Sequence, residues 1–355
     1  ASFRRTKTAS PWKALPSTSL ARFSATRLLQ HTSWRSVPSF EYGEEQMSAS
    51  VTASVLLFRK RFLAAIRQMR NGVAIEQLAL LIRQGRMNEA LAQAEAAALN
   101  LSNAYATSYT TSANKVTGFI STKANVIVSF DQIKDRAVLE MREAGLRLVR
   151  EFTTKQRAAT RRALTMGVRL GLNPRDQAML LRQSIGLTVT QVEAVANYRR
   201  LLEQGSRRAL DRALRDRRYD AATARAAAGG KALSEGQIDR MVERYYQRSL
   251  VNRAETIART EALGATHQGA DAGFRAAIDQ GAIGDELSQV WHTAGDARVR
   301  IPSHTFMNGQ VRPFGQPFVS GTGNLLRWPG DQRAPAHDVV QCRCVKTTRF
   351  TIDIA

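Results

Sequence analysis

The chain has 355 residues, of which 43% are hydrophobic and only 7% aromatic, and it carries a formal net charge of +22. That length allows two domains with a packed core, and the modest aromatic share predicts helix packing through small side chains. The charge asks for a polyanionic partner, nucleic acid first and an acidic protein surface second, while no apolar run approaches the roughly 18 residues of a membrane-spanning helix.

Residues 1–40 hold Arg4, Arg5, Lys7, Lys13, Arg22, Arg27 and Arg35 and no acid. The composition imitates an organellar transit peptide, yet the first methionine is Met47, at the start of helix-compatible sequence. Residues 1–46 therefore read as a disordered basic extension, with Met47 opening the folded protein. The rival reading is an arm that touches DNA.

Between Val51 and Met69, the residues Val51, Val55, Phe58, Phe62, Ile66 and Met69 recur every three or four positions. That is one buried helical stripe, ended by Asn71-Gly72. Residues 75–99, with Leu78, Leu81, Ile82 and Leu91, predict a second helix or a pair broken at Gly85, and the two segments read as a helical hairpin. Residues 100–130 exchange charge for Ser, Thr, Asn and Tyr, and the β-branched stretch 123–130 predicts a loop with an extended piece. Asp131 is the expected N-cap of a long helix over 132–167. Its apolar set is Ile133, Val138, Met141, Leu148, Val149 and Phe152, and its other face is basic.

Asn173-Pro174 supplies an N-cap and first helical residue for a helix ending at Ser184. Thr188 caps the next, over 189–204, and Ser234 caps a third, over 235–250. Arg207 to Arg218 sets six arginines against Asp211 and Asp216, and residues 221–230 (AATARAAAGG) read as a mobile helix end or linker. A last helix from Arg253, carrying Ile257, Ala258, Glu261, Ala265, Gly269 and Phe274, stops near Gly281. The expected organisation is a helical, basic region over 47–250 and a separate module over 251–355. Arginine dominates over lysine mid-chain, which suits phosphate or carboxylate forks. Arg142, Arg150, Arg157, Arg161, Arg162, Arg207, Arg208 and Arg215 are the candidate polyanion contacts, acting without sequence preference through counterion release; a solvated helix surface is the plain alternative. Aromatic side chains are sparse among them, so base stacking is not expected.

Beyond Trp291 the composition changes, concentrating Trp, Gly, Pro, His and both cysteines. The order is W-x4-D-x-R-x-R-x3-H-x3-N-G from Trp291 to Gly309, then F-G-x-P-F, W-P-G-D at Trp328 to Asp331, A-P-A-H ending at His337, and C-R-C at Cys342 to Cys344. Together with Ile257-Ala258-Arg259-Thr260-Glu261 upstream, this block resembles the phage Mu F-like minor head proteins of tailed phages, in which a helical region precedes a small C-terminal domain closing on C-R-C. The resemblance implies a mainly α chain with a small α+β C-terminal domain. It also implies a virion protein of few copies, associated with the portal protein and other head proteins and supporting head assembly and genome delivery.

Asp296, Arg298, Arg300 and His304 read as a buried ion-pair and hydrogen-bond network in a module with little apolar core, with Asp296 to Arg298 or Arg300 the first bond expected. Trp291, Asn308, Gly309, Trp328, Gly330, Asp331, Cys342, Arg343 and Cys344 belong to the same network. Asn308-Gly309 predicts a tight hairpin turn pairing strands across 305–311. His304, His337, Cys342 and Cys344 are the right ligand types for tetrahedral zinc. Against a metal, C-x-C chelates less comfortably than C-x2-C, no second knuckle is present, and this chain has Ile301-Pro302-Ser303-His304 where related sequences carry extra cysteines. The pair is also poorly placed for a mutual disulfide, since i and i+2 point to opposite faces of an extended strand. No metal is therefore expected; Cys342 packs as a small apolar residue and Arg343 meets solvent or an acid such as Asp296. No nucleophile elbow or H-E-x2-H is present, and the E-x-E or Q-x-E of an ADP-ribosyltransferase is absent from the module. Catalysis and a cofactor are not expected.

Overall fold

The computed structural model describes residues 38–93, 100–131 and 134–352. Most of the basic N-terminal segment, through residue 37, lies outside the described residues, as do Ile133 and the side chain of Leu91. The first element is strand β1 (Ser39–Tyr42), followed by helix α1 (Glu44–Asn71). Met47 thus lies inside a helix, buried, and the folded part begins upstream of it. The expected opening at Met47 is corrected by the pairing of β1, described below.

Helix α1 buries Phe58, Phe62, Ile66 and Met69 on the expected stripe and ends at Gly72. Helices α2 (Ile75–Arg83) and α3 (Met87–Gln93) are the broken pair, separated at Gly85, whose φ of 71° is the left-handed conformation that glycine adopts without strain. Residues 100–124, expected as loop, form the 25-residue helix α4 (Asn100–Ala124). Its hydroxyls are absorbed locally: Thr107 donates to the Asn103 carbonyl, Ser121 to Thr117 and Thr122 to Gly118. Polar composition reflects close helix contact here, and only residues 125–131 lack regular structure. Helix α5 (Asp135–Arg169) starts after Lys134, so Asp131 is not its N-cap.

Helices α6 (Pro174–Ser184) and α7 (Val189–Glu203) begin as expected. The Asn173 side chain accepts from Asp176 N at 2.9 Å, and Thr188 forms a reciprocal capping box with Gln191. Two short 3₁₀ turns (Arg207–Asp211 and Arg217–Tyr219) lead to α8 (Asp220–Ala227), which occupies the low-complexity stretch. The two helices expected over 235–250 and from 253 are one, α9 (Glu235–Asp279), capped by Ser234. No Gly or Pro stands between Leu250 and Arg253, so nothing breaks the backbone there. The expected boundary at residue 250 falls within this helix.

Five strands and two short helices follow: β2 (Ser288–His292), α10 (Ser303–Met307), β3 (Val311–Pro313), β4 (Phe318–Val319), β5 (Leu325–Leu326), α11 (Ala336–Val339) and β6 (Val345–Thr351). The main sheet is antiparallel in the order β1-β6-β2-β3, with Ser39 opposite Thr351 and His292 opposite Val345, while β4 and β5 pair separately. Thus the molecule is mainly helical with a small sheet near the C-terminal end, and one strand of that sheet comes from before α1. The hairpin expected at Asn308-Gly309 is instead a longer β2–β3 connection carrying α10, with Gly309 at φ 75° turning the chain into β3.

The helices close on each other through small residues. A Cβ at Gly269 would collide with the backbone at Tyr109, and one at Gly273 would lie 2.7 Å from the Ala113 carbonyl oxygen. Elsewhere in the helical body larger groups fill the space: Phe62 meets Phe152 edge-on at 5.8 Å, and Tyr198 stacks on Tyr245 at 4.5 Å. Arg253 is buried there without an acidic partner among the described residues, its guanidinium 5.3 Å from the Phe152 ring centroid. Burial lowers its proton affinity, to a pKa of about 10.

The seam makes a stability prediction. Gly273→Ala should destabilise the chain by about 1–3 kcal/mol through overpacking. Gly118→Ala, on the exposed face of α4 with open space around it, should stabilise by up to about 1 kcal/mol. Urea unfolding of the two variants checks the contrast; equal effects would refute the close approach.

Candidate functional site

The motif residues between Trp291 and Cys344 converge from both ends of the module. Trp291 in β2 is fully buried and meets Phe318 of β4 at 5.2 Å and His304 of α10 at 5.9 Å, both edge-on. Below them Leu263, Met307, Leu326, Cys342 and Cys344 complete a small apolar cluster. Gln341, at φ 57°, turns the chain out of α11, and residues 342–344 precede β6 without being part of it. The strand alternation that would separate the two thiols does not apply, and both are buried.

His304 stands between the thiols and an acid. Its Nδ1 lies 3.3 Å from Cys344 Sγ and 3.7 Å from Cys342 Sγ, and its Nε2 lies 3.7 Å from Asp338 Oδ1. Asp338 is fully buried and is fixed by Ser303 Oγ donating at 2.5 Å and Asn324 Nδ2 donating at 2.8 Å. The hydrogen bond from Cys344 holds the Cys342 thiol well below its ordinary range against the opposing cost of burial, with help from His304. The same bond, with burial added, pushes Cys344 up, only partly relieved by Trp291 and Arg300. The Trp291 Nε1–H sits beside the Cys344 sulfur without meeting hydrogen-bond geometry.

Among the described residues, His304, Cys342 and Cys344 are therefore the group able to hold a metal. His337 is not, because its exposed ring faces Asn324 and the far oxygen of Asp338. Sequence reasoning took Asp338, Ser303 and Asn324 for background. The only trace of them is adjacency, Ser303 to His304 and His337 to Asp338.

The remaining network is distributed differently from expectation. Asp296 pairs with Arg343 through both guanidinium nitrogens, as anticipated for that arginine, and Arg298 is a weaker partner at 3.6 Å. The Arg343 bond holds the Asp296 carboxyl well below its usual range. Arg300 instead donates to the Val340 carbonyl. Asp296, Arg298, Asn308 and Gly309 lie at the surface, which corrects the expectation of a wholly buried network. Asn308 ties the β2 exit by accepting from Thr293 N at 2.9 Å. Asp331 is the buried acid, held by Arg327 at 3.0 Å, and Arg327 lies 4.1 Å above the Trp328 ring.

Helix α9 anchors this block. A Cβ at Gly264 would lie 2.9 Å from the Gly330 carbonyl oxygen, so the W-P-G-D loop sits directly on helix backbone. Thr260 accepts from Gln341 N at 3.1 Å, and buried Glu261 is met by Arg147 of α5 and by Gln332. Lys346 of β6 reaches Asp271 of α9 at 2.5 Å, both buried. His267 is buried nearby with neither ring nitrogen hydrogen-bonded among the described residues.

Of the candidate polyanion contacts, Arg142, Arg150, Arg157, Arg161, Arg207 and Arg208 are exposed. At 100° per residue the first four fall within about 100° of one another on α5. Arg162 and Arg215 are engaged by Glu193 and Asp220. Helix neighbours in space supply acids that the linear sequence keeps apart, so arginine is offset more than expected.

Compared with family models, curated proteins and solved structures, the chain has no match. Geometry and chemistry alone bear on its role.

Two predictions follow from the buried charges. Lys346→Met leaves Asp271 unpaired and should cost about 3–5 kcal/mol in urea unfolding, most of it recovered when Asp271→Leu is added. For His267, burial first and then the charge of Lys346 depress proton affinity well below the ordinary imidazole value. The unfolded chain then binds a proton below about pH 6.5 that the folded chain refuses, so this contribution to stability is complete above that pH and is lost as pH falls, at up to about 1.4 kcal/mol per unit. Glu261, raised by burial, works in the opposite sense, so the readout is a flatter slope in His267→Leu than in the parent between pH 7 and 5.

Proposed function

We propose that the chain is a minor head protein of a tailed-phage particle, of the Mu F-like kind, seated at the portal vertex and supporting head assembly and DNA packaging and ejection. Its helical region is the docking body, and the block from Trp291 to Cys344 is a rigid connector without catalysis. It resides in the virion, and in the host cytoplasm during assembly. One observation carries the reading: polar residues of the ordered motif are engaged within the block itself. Asp296 holds Arg343, Asp331 holds Arg327, and His304 lies enclosed with both thiols. Such a block serves as a brace rather than a receptor.

The net charge of +22 suits a place beside packaged DNA or an acidic head surface. No helix among the described residues is long and apolar enough to cross a membrane. A second reading, a non-specific double-stranded DNA-binding protein of the virion interior, is favoured by the arginine row of α5. An ADP-ribosyltransferase-like toxin module has less support, because its E-x-E or Q-x-E signature does not appear in the module over 251–355.

The full chain, presented to portal, scaffold and major capsid proteins at physiological salt, should retain the portal protein selectively. Retention of no head protein would refute the proposal. Binding only to DNA, with affinity falling as a steep power of salt, would favour the second reading. Charge reversal of Arg142, Arg150, Arg157 and Arg161 to Glu should then abolish it.

A further inference from the structure

We propose that His304, Cys342 and Cys344 bind one zinc ion, which ties α10 to the head of β6. The inference is independent of any role in a phage head. Zinc with Zn–S near 2.3 Å and Zn–N near 2.0 Å holds tetrahedral sulfur and nitrogen ligands about 3.6 Å apart. The two His304 Nδ1 to sulfur distances, 3.3 and 3.7 Å, bracket that edge, and all three donor atoms fall within 4.8 Å of one another.

A thiol–imidazole hydrogen bond accounts for one of these contacts but not for both. Nδ1 has a single lone pair or a single N–H and serves one sulfur, whereas two sulfurs converge on it here. A cation between the three donors resolves the crowding, and two thiolates neutralise its charge. The surroundings are those of a ligating histidine: a carboxylate stands off the other ring nitrogen and is itself oriented by hydrogen bonds, from Ser303 and Asn324. With Nδ1 on the metal, Nε2 carries the proton and faces Asp338. That nitrogen has no hydrogen-bond partner among the described residues and points at this acid alone.

His304 and a cysteine, taken with Asp338, outline a cysteine hydrolase triad. Burial argues against that use, since His304 and Cys342 are each 1% exposed and Cys344 3%, and no substrate reaches a sulfur so enclosed. The site is structural.

The test uses the full chain produced in zinc-containing medium and dialysed free of loose metal. Elemental analysis should find one zinc per chain, and removing it with a chelator should lower the melting temperature, with recovery on adding Zn²⁺ but not Mg²⁺. Cobalt in its place should give the intense thiolate-to-cobalt absorption of a sulfur-ligated tetrahedral ion, which metal-free buried thiols do not produce. Cys342→Ser and His304→Ala should lose the ion. Should these variants fold poorly, the cobalt spectrum of the parent chain decides by itself. A chain lacking metal, copper or iron in place of zinc, a cobalt complex without the thiolate band, or zinc retained in the Cys342→Ser/Cys344→Ser double variant would each overturn the proposal.

Discussion

Direct backbone contact along helix α9 is the constraint on which the rest depends. Gly269 and Gly273 lie about 40° apart on the helix and admit α4, while Gly264 lies about 140° from Gly269 and admits the loop at Gly330. The helix is therefore approached closely on two sides by different parts of the chain. This explains why nearly every residue from Thr260 to Ala277 is buried although the sequence carries no strong amphipathic stripe there. It also explains why the molecule does not divide at residue 250: the long helix belongs to the helical body by one face and to the sheet-bearing block by another.

Where sequence signals were local, the fold was legible. The stripe of α1, the broken pair at Gly85, the caps at Asn173, Thr188 and Ser234, and the change of character at Trp291 all depend on neighbours within a few residues. Long-range packing hid the remainder. Helix α4 looked like loop because Ser, Thr and Asn usually compete with helix backbone, and only its partner's glycines reveal why small polar residues suit it. Strand β1 had no signal of its own, since four residues gain strand character only by lying against β6. The candidate site was legible as a set of residue types, not as a geometry. The C-x-C spacing suggested divergent thiols under strand alternation, and Gln341 in the left-handed conformation places both inside instead.

Charge in this chain divides between two uses. Arg147, Arg162, Arg199 and Arg215 close contacts between elements by reaching acids on other parts of the fold or in the following turn. Apart from that of Arg147, whose partner Glu261 is buried, these pairs are part-exposed, where an ion pair contributes modestly, so their value lies more in fixing which element faces which. The row on α5, by contrast, is exposed. Its regular helical placement suits a phosphate backbone or a row of carboxylates equally.

The sheet-bearing block shows why polar bonds had to do what apolar burial does in the helical body. Its own apolar cluster holds seven buried residues, two of them cysteines, which is too little to fix several loops by hydrophobic area alone. Each loop is accordingly tied by a directed bond: Asp296 to Arg343, Asp331 to Arg327, Asn308 to Thr293, and Asp338 to Ser303 and Asn324. Directed bonds hold geometry only if each group keeps its partner in low dielectric. The thiol pair and His304 are where the partners fall short, two sulfurs facing a single ring nitrogen. A block stabilised this way has a weak point at that junction unless something positively charged occupies it, and the buried carboxylate behind the imidazole is already placed to steady the ring when it does.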